Sequence, residues 1–132
     1  MTSNGRVLIV DDMADARTLL RLLLTHKGHY TILEAENGHD ALLRARTEMP
    51  DLIVLDYMMP DLNGVEVCQA LRGDPVTAHI PIIMLTARTD TRTQSEAESA
   101  GIDAFLTKPI KTEALLGESQ RLIGQSNAAA AS

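Results

Sequence analysis

Tryptophan is absent, phenylalanine occurs once and tyrosine twice, so the core has to be assembled from Leu, Ile, Val, Met and Ala. The single cysteine, Cys68, excludes an internal disulfide. Its place beside Val65, Val67 and Leu71 in a helical pattern reads as a buried structural thiol. Basic runs are missing as well: 12 Lys and Arg stand scattered against 18 Asp and Glu, for a net charge of −6. Binding to a phosphate backbone needs a basic footprint, so direct nucleic-acid binding is not expected. No apolar stretch is long enough for a membrane-spanning helix. The segment Met1–Arg6 is short and polar, unlike a signal peptide. No membrane contact is expected, and a cytoplasmic location follows by default. What is present is 45% hydrophobic residues over 132 positions, with a mean hydropathy of −0.03, which suits one domain with a real core.

Strand-like and helix-like patterns alternate along the chain. Short apolar runs bounded by turn signals predict strands over Arg6–Val10, Tyr30–Glu34, Asp51–Asp56, Ile80–Thr86 and Asp103–Thr107. Between and after them, helices are predicted over Ala14–Lys27, Asp40–Glu48, Val65–Arg72, Thr91–Ala100 and Lys111–Ile123. Gly28, Pro50 and Gly73-Asp74-Pro75 supply stops. Gly117 weakens the last helix from within. The fourth helix contains almost no large apolar residue, which predicts low local stability. The domain is taken as residues 1–124. The Ala- and Ser-rich Gln125–Ser132 has no core pattern and reads as a disordered tail or the stub of a linker.

Five successive βα units imply an α/β fold: a doubly wound parallel five-stranded sheet with helices on both faces. Of the common strand orders, the flavodoxin-like 2-1-3-4-5 makes strands one and three neighbours at the switch point. That order matters because acids close both runs. Asp11 and Asp12 follow Val7-Leu8-Ile9-Val10, and Asp56 follows Leu52-Ile53-Val54-Leu55. Ligands of open α/β sheets bind at the carboxyl ends of the strands. Three carboxylates gathered there repel unless a cation or a proton joins them, which predicts a hard divalent ion. Thr86 and Lys108 close the next two strands, giving a hydroxyl and a positive charge along the same edge. This is the equipment of a phosphoryl acceptor. Asp56 can be the nucleophile, Lys108 and Thr86 can meet phosphoryl oxygens, and Asp12 and Asp56, with Asp11 through water, can hold Mg²⁺ (or Mn²⁺).

In order and spacing, Val10-Asp11-Asp12, Leu55-Asp56-Tyr57-Met58-Met59-Pro60, Asn63-Gly64, Leu85-Thr86-Ala87, Phe105 and Lys108-Pro109 closely resemble the receiver domain of two-component response regulators. The resemblance covers Arg6 to Ile123. It implies that Asp56 is the phosphorylation site and that Met58 offers its backbone carbonyl to the metal beside Asp11, Asp12 and Asp56. It implies that Thr86 and Phe105 form a switch pair, and that the Lys108–Pro109 peptide is cis. It also implies a signalling module, catalysing only its own phosphotransfer and hydrolysis, that takes its phosphoryl group from a histidine kinase or histidine phosphotransfer protein. Output would pass through the fourth helix, fifth strand and fifth helix, a face that also offers a possible homodimer contact. The chain is expected to be either a stand-alone regulator or a receiver cut from a longer protein.

Plainer readings exist for each residue. Asp11 and Asp12 suit a turn and helix N-cap. Lys108 alone suits a solvated surface, Thr86 a strand end and Phe105 core packing. Gly64 suits a positive φ or a tight loop-to-helix junction. The four histidines show no metal-ligand spacing and read as surface or packing residues. A phosphatase of the haloacid-dehalogenase type would need a second acid two residues after its nucleophile, but Met58 stands there. A binding-only pseudo-receiver has no need for the complete set of residues.

Overall fold

The structure, a computed structural model, describes residues 3–87 and 90–131. Five strands alternate with five helices: β1 (Arg6–Val10), α1 (Ala14–His26), β2 (Thr31–Ala35), α2 (Gly38–Glu48), β3 (Leu52–Asp56), α3 (Gly64–Gly73), β4 (Ile82–Thr86), α4 (Thr91–Ala100), β5 (Ala104–Thr107) and α5 (Thr112–Ala131). All strand pairs are parallel and the order is β2-β1-β3-β4-β5, as the sequence predicts.

Alternation along each strand divides the core in two, because successive side chains point to opposite faces of a sheet. Leu8, Val10, Ile53, Leu55, Ile82 and Met84 pack on one face against Ala41 and Ala45 of α2, Val67, Cys68 and Leu71 of α3, and Ala97 of α4. Val7, Ile9, Leu52, Val54, Ile83 and Leu85 pack on the other against Leu20 and Leu24 of α1 and Leu115, Leu122 and Ile123 of α5. The strands are apolar on both faces because both faces are covered. Helix α4 buries only Thr93, Ala97 and Ala100, in keeping with its lack of large apolar residues.

Element ends differ from the sequence reading by one or two residues, except at the C-terminus. Helix α5 does not stop near Ile123 but runs on to Ala131, so the expected tail is helical up to that residue; Ser132 lies outside the described residues. A core pattern is not needed there, since consecutive alanines have the highest intrinsic helix propensity.

Two loops are tied down where they approach the carboxyl edge of the sheet. Asn63 and Glu66 form a reciprocal capping box at the start of α3. Asp61 reaches across to α2, where its carboxylate accepts from the Gly38 amide at 2.9 Å and the His39 amide at 3.0 Å. Asn37 accepts from the Asp40 amide at 2.8 Å, so three of the four unpaired donors at the start of α2 are satisfied.

Candidate functional site

Strand β1 ends at Val10 and the chain turns through Asp11 and Asp12 into α1. Asp11 is buried, and three of its polar atoms are engaged. Its amide donates to the Ala35 carbonyl at 3.2 Å. Its carbonyl accepts from Arg17 Nη1 at 2.7 Å, and its Oδ1 accepts from the Met13 amide at 2.9 Å. Among the described residues, Asp11 Oδ2 is the one buried side-chain polar atom without a hydrogen-bond partner. Asp12 is exposed. Neither acid is the N-cap of α1: that position is Met13, with no side-chain cap bond. The N-cap half of the plainer reading is therefore not observed, while the turn half is, through the Asp11 bond to the Met13 amide.

Asp56 closes β3 beside this turn because β1 and β3 are neighbours, and it is 5% exposed. Ligand atoms from Asp11, Asp12 and Asp56 lie within 4.8 Å of one another. From the loop after β5, Lys108 Nζ reaches Asp56 Oδ1 at 2.9 Å and stands 3.7 Å from Asp11 Oδ2. The second distance is too long for a hydrogen bond. The Lys108 amide donates to the Thr86 carbonyl at 2.8 Å, which links the last two strand ends. The Lys108–Pro109 peptide is cis.

Burial pushes the Asp56 carboxyl up, and the charges of Asp11 and Asp12 push it further. The hydrogen bond and charge of Lys108 oppose this without cancelling it. For Lys108, burial pulls the ammonium down, but the hydrogen bond and charge of Asp56 and the charge of Asp11 outweigh it and leave the group raised. One half-buried cation thus serves more negative charge than it balances. The buried Oδ2 of Asp11 accepts no hydrogen bond and has only the more distant Lys108 charge, which fits a further cation, and an all-oxygen donor set suits a hard divalent ion.

The remaining predicted residues lie around this cluster. Thr86 is buried at the end of β4. Phe105 stands opposite Met84 in the β4–β5 register and packs, partly buried, against the core face that holds α3 and α4. The Met58 side chain is exposed, just beyond Asp56. Gly64 has no positive φ; close approach explains it. A Cβ there would meet the Asp56 carbonyl oxygen and the Tyr57 Cα at 3.0 Å. The tight junction keeps the loop after β3 folded against the strand, with the Gly64 amide donating to Tyr57 O at 2.8 Å.

Residues 7–119 match the family described as the response regulator receiver domain. The chain belongs to that family. Receiver domains are the phosphoryl-accepting signalling modules of two-component systems. The chain is 38% identical over 129 residues to the alkaline phosphatase synthesis transcriptional regulatory protein PhoP of Bacillus subtilis, covering 98% of this chain and 52% of that protein. It is 42% identical over 108 residues to the transcriptional regulatory protein ResD of the same organism, covering 82% and 43%. It thus spans about half the length of these two curated relatives. Among solved structures, the signal receiver domain of a signal transduction histidine kinase from Syntrophus aciditrophicus superposes with a TM-score of 0.85 at 34% identity, covering 92% and 91% of the two chains. Chemotaxis response regulator CheY4 of Vibrio cholerae gives 0.83 at 32%, covering 92% of this chain and 99% of that one.

Two residues of this receiver that shape the site's surroundings carry no signal in the sequence. Arg17 sits among ordinary helix residues, yet it reaches the Asp11 carbonyl. Asp61 lies in a loop, yet it caps a helix 22 residues earlier in the chain. The four histidines are all exposed, and the candidate metal-binding group contains none of them. Cys68 is buried, its Sγ bonded to the Ala100 carbonyl at 3.3 Å, and burial raises the thiol to about 11.

Proposed function

We propose that this receiver takes a phosphoryl group onto Asp56 from the phosphohistidine of a histidine kinase or histidine phosphotransfer protein. An Asp56 oxygen forms the new bond to phosphorus as the nitrogen–phosphorus bond breaks in a donor ring protonated on its other nitrogen, so that neutral imidazole leaves. The observation that carries the reading is the buried Asp56, held by Lys108 at 2.9 Å within a cluster of three carboxylates. Asp11, Asp12, Asp56 and the Met58 carbonyl would hold Mg²⁺ or Mn²⁺. When bound, the ion neutralises charge on the transferring group. Lys108 exchanges its bond to Asp56 for one to a phosphoryl oxygen, and the Thr86 hydroxyl donates to another. Phe105 and Thr86 then pass the change to α4, β5 and α5, the face that controls a partner or output domain and offers a homodimer contact. The domain works as a switch, catalysing only its own phosphorylation and dephosphorylation.

The surroundings of the site suit a protein donor. An apolar hollow of about 260 Å³ opens beside Asp11 and Lys108, lined by Ala16, Leu19, Leu23, Pro109 and Ile110. Leu19 and Met13 are well exposed. Apolar surface around a reacting acid favours docking of a folded partner over capture of a small metabolite.

Acetyl phosphate with Mg²⁺, read by intact-protein mass spectrometry, tests the reading. Wild type should gain one phosphoryl group, and both Asp56→Asn and removal of the ion should abolish the gain. Uptake by Asp56→Asn at the wild-type rate would put the acceptor elsewhere. Turnover of phosphomonoesters would instead favour a phosphatase, and no ion-dependent labelling of wild type would favour a binding-only module. Phosphotransfer from a panel of kinases identifies the donor.

A further inference from the structure

Asp11 is held at three points, and one of them is a cation from outside the cluster. The amide is fixed by Ala35, Oδ1 by the Met13 amide, and the carbonyl by Arg17 Nη1 at 2.7 Å. With these atoms engaged, Oδ2 is the atom of Asp11 left without a hydrogen bond. The Asp11 carbonyl belongs to the Asp11–Asp12 peptide, so the Arg17 bond also sets where the Asp12 carboxylate starts from.

Arg17 is itself held in place. Its Nε donates to Glu34 Oε1 at 3.2 Å, and the side chain is only 15% exposed. Glu34 sits on β2, paired in register with Ile9 of β1, and its second oxygen binds Arg21 at 3.1 Å. One guanidinium therefore spans from β2 to the turn after β1, using two nitrogens of a rigid fork. Crowded carboxylates repel one another, and an unrestrained turn would let Asp11 and Asp12 swing apart when no cation is present.

We propose that Arg17 is a positioning residue for the divalent-ion site: through the Asp11 carbonyl it locks the acid turn so that the Asp11 and Asp12 carboxylates face Asp56 before the ion arrives. This rests on the metal reading above. It has a signature that a charge effect cannot imitate. A positive side chain near a cation site repels the cation, so deleting Arg17 for electrostatic reasons alone would tighten Mg²⁺ binding. Loss of positioning weakens it. Groups that orient metal ligands without touching the metal commonly change affinity by about 10–100-fold.

The experiment is calorimetric titration of Mg²⁺ alone into the full chain and into Arg17→Met and Arg17→Lys, with metal-free thermal melts of each. Arg17→Met removes both the charge and the bonds. Arg17→Lys keeps the charge, but a single ammonium cannot serve the Asp11 carbonyl and Glu34 in the same fork geometry. The expected result is a Mg²⁺ dissociation constant raised on the order of tenfold in both variants, with melting points close to wild type. Unchanged or tighter binding in a folded variant overturns the assignment. So does a loss of affinity that appears only together with loss of the fold in both variants, since Arg17 would then be a structural brace. If wild type itself binds no Mg²⁺, the metal reading fails and the positioning role falls with it; wild-type binding with unaffected variants overturns the positioning role alone.

Discussion

Two carboxylates of this chain are pushed in opposite directions, and the causes are local. Asp56 is raised because burial removes water and two neighbouring acids add repulsion. Asp61 is held below the usual carboxylate range because the amides of Gly38 and His39 donate to it, with the His39 ring 2.6 Å away. A depressed carboxyl stabilises the fold above its unfolded pKa, about 3.9, and loses that contribution as pH falls through the lower folded value. Asp61→Ala should therefore melt below wild type at neutral pH, and the gap should shrink as pH falls from about 5 towards 3. Paired melts at several pH values check this; a gap that stays constant would mean that the lost stability is not carried by the carboxylate. At this scale the cluster at the carboxyl edge was legible in the sequence, because Asp11, Asp12, Asp56, Thr86 and Lys108 each follow or close a strand-like run. Arg17 and Asp61 were not, because each acts on backbone atoms of another segment. Nothing in local composition reports such contacts.

Elements were legible to the extent that burial writes a period into them. The central strands and α1, α2 and α3 show their apolar faces directly. The extension of α5 to Ala131 escaped because it rests on intrinsic propensity and leaves no core pattern to read. The same helix contains a correctable weakness. Gly117 lies in its interior, exposed, with nothing within 4 Å of where a Cβ would sit. Gly117→Ala should stabilise the domain by about 0.5–1 kcal/mol. A denaturation midpoint that rises with an unchanged slope is the expected outcome. No gain would mean that α5 is not helical around Gly117 in solution. Helix α4 is fastened firmly at its C-terminal end. Cys68 bonds the Ala100 carbonyl there, while Arg72 Nε bonds the Gly101 carbonyl at 3.0 Å and the same guanidinium reaches Asp103. Gly101 takes a positive φ as it closes the helix, and a Cβ there would press against Arg72 at 3.1 Å. Near its start, α4 is capped by Asp90 and buries Thr93.

For the whole molecule, these ties at the C-terminal end of α4 set a direction for the proposed switch. Phosphorylation adds about −1.5 to −2 charges to a side chain. At Asp56 the new charge lies at the end of β3, with β4 as its next neighbour and β5 beyond. Lys108 and the Thr86 hydroxyl are drawn towards it. Movement of Thr86 at the end of β4 would make room for Phe105, which is only partly buried on β5. Helix α4 buries two alanines and a threonine, so displacing it breaks few apolar contacts. A modest bias between two existing states is then sufficient to shift the population. Because Cys68 and Arg72 fasten its far end, α4 should pivot there, with the larger displacement in its first turns. Hydrogen exchange with and without beryllofluoride, a mimic of the aspartyl phosphate, reads this directly. Protection should change more over Thr91–Gln94 than over Ser99–Ile102, with further changes in β5 and the start of α5. A uniform change along α4 would remove the pivot while leaving a switch. Unchanged protection from β4 through α5, with beryllofluoride saturating Asp56, would rule out this face as the route from the site to a partner.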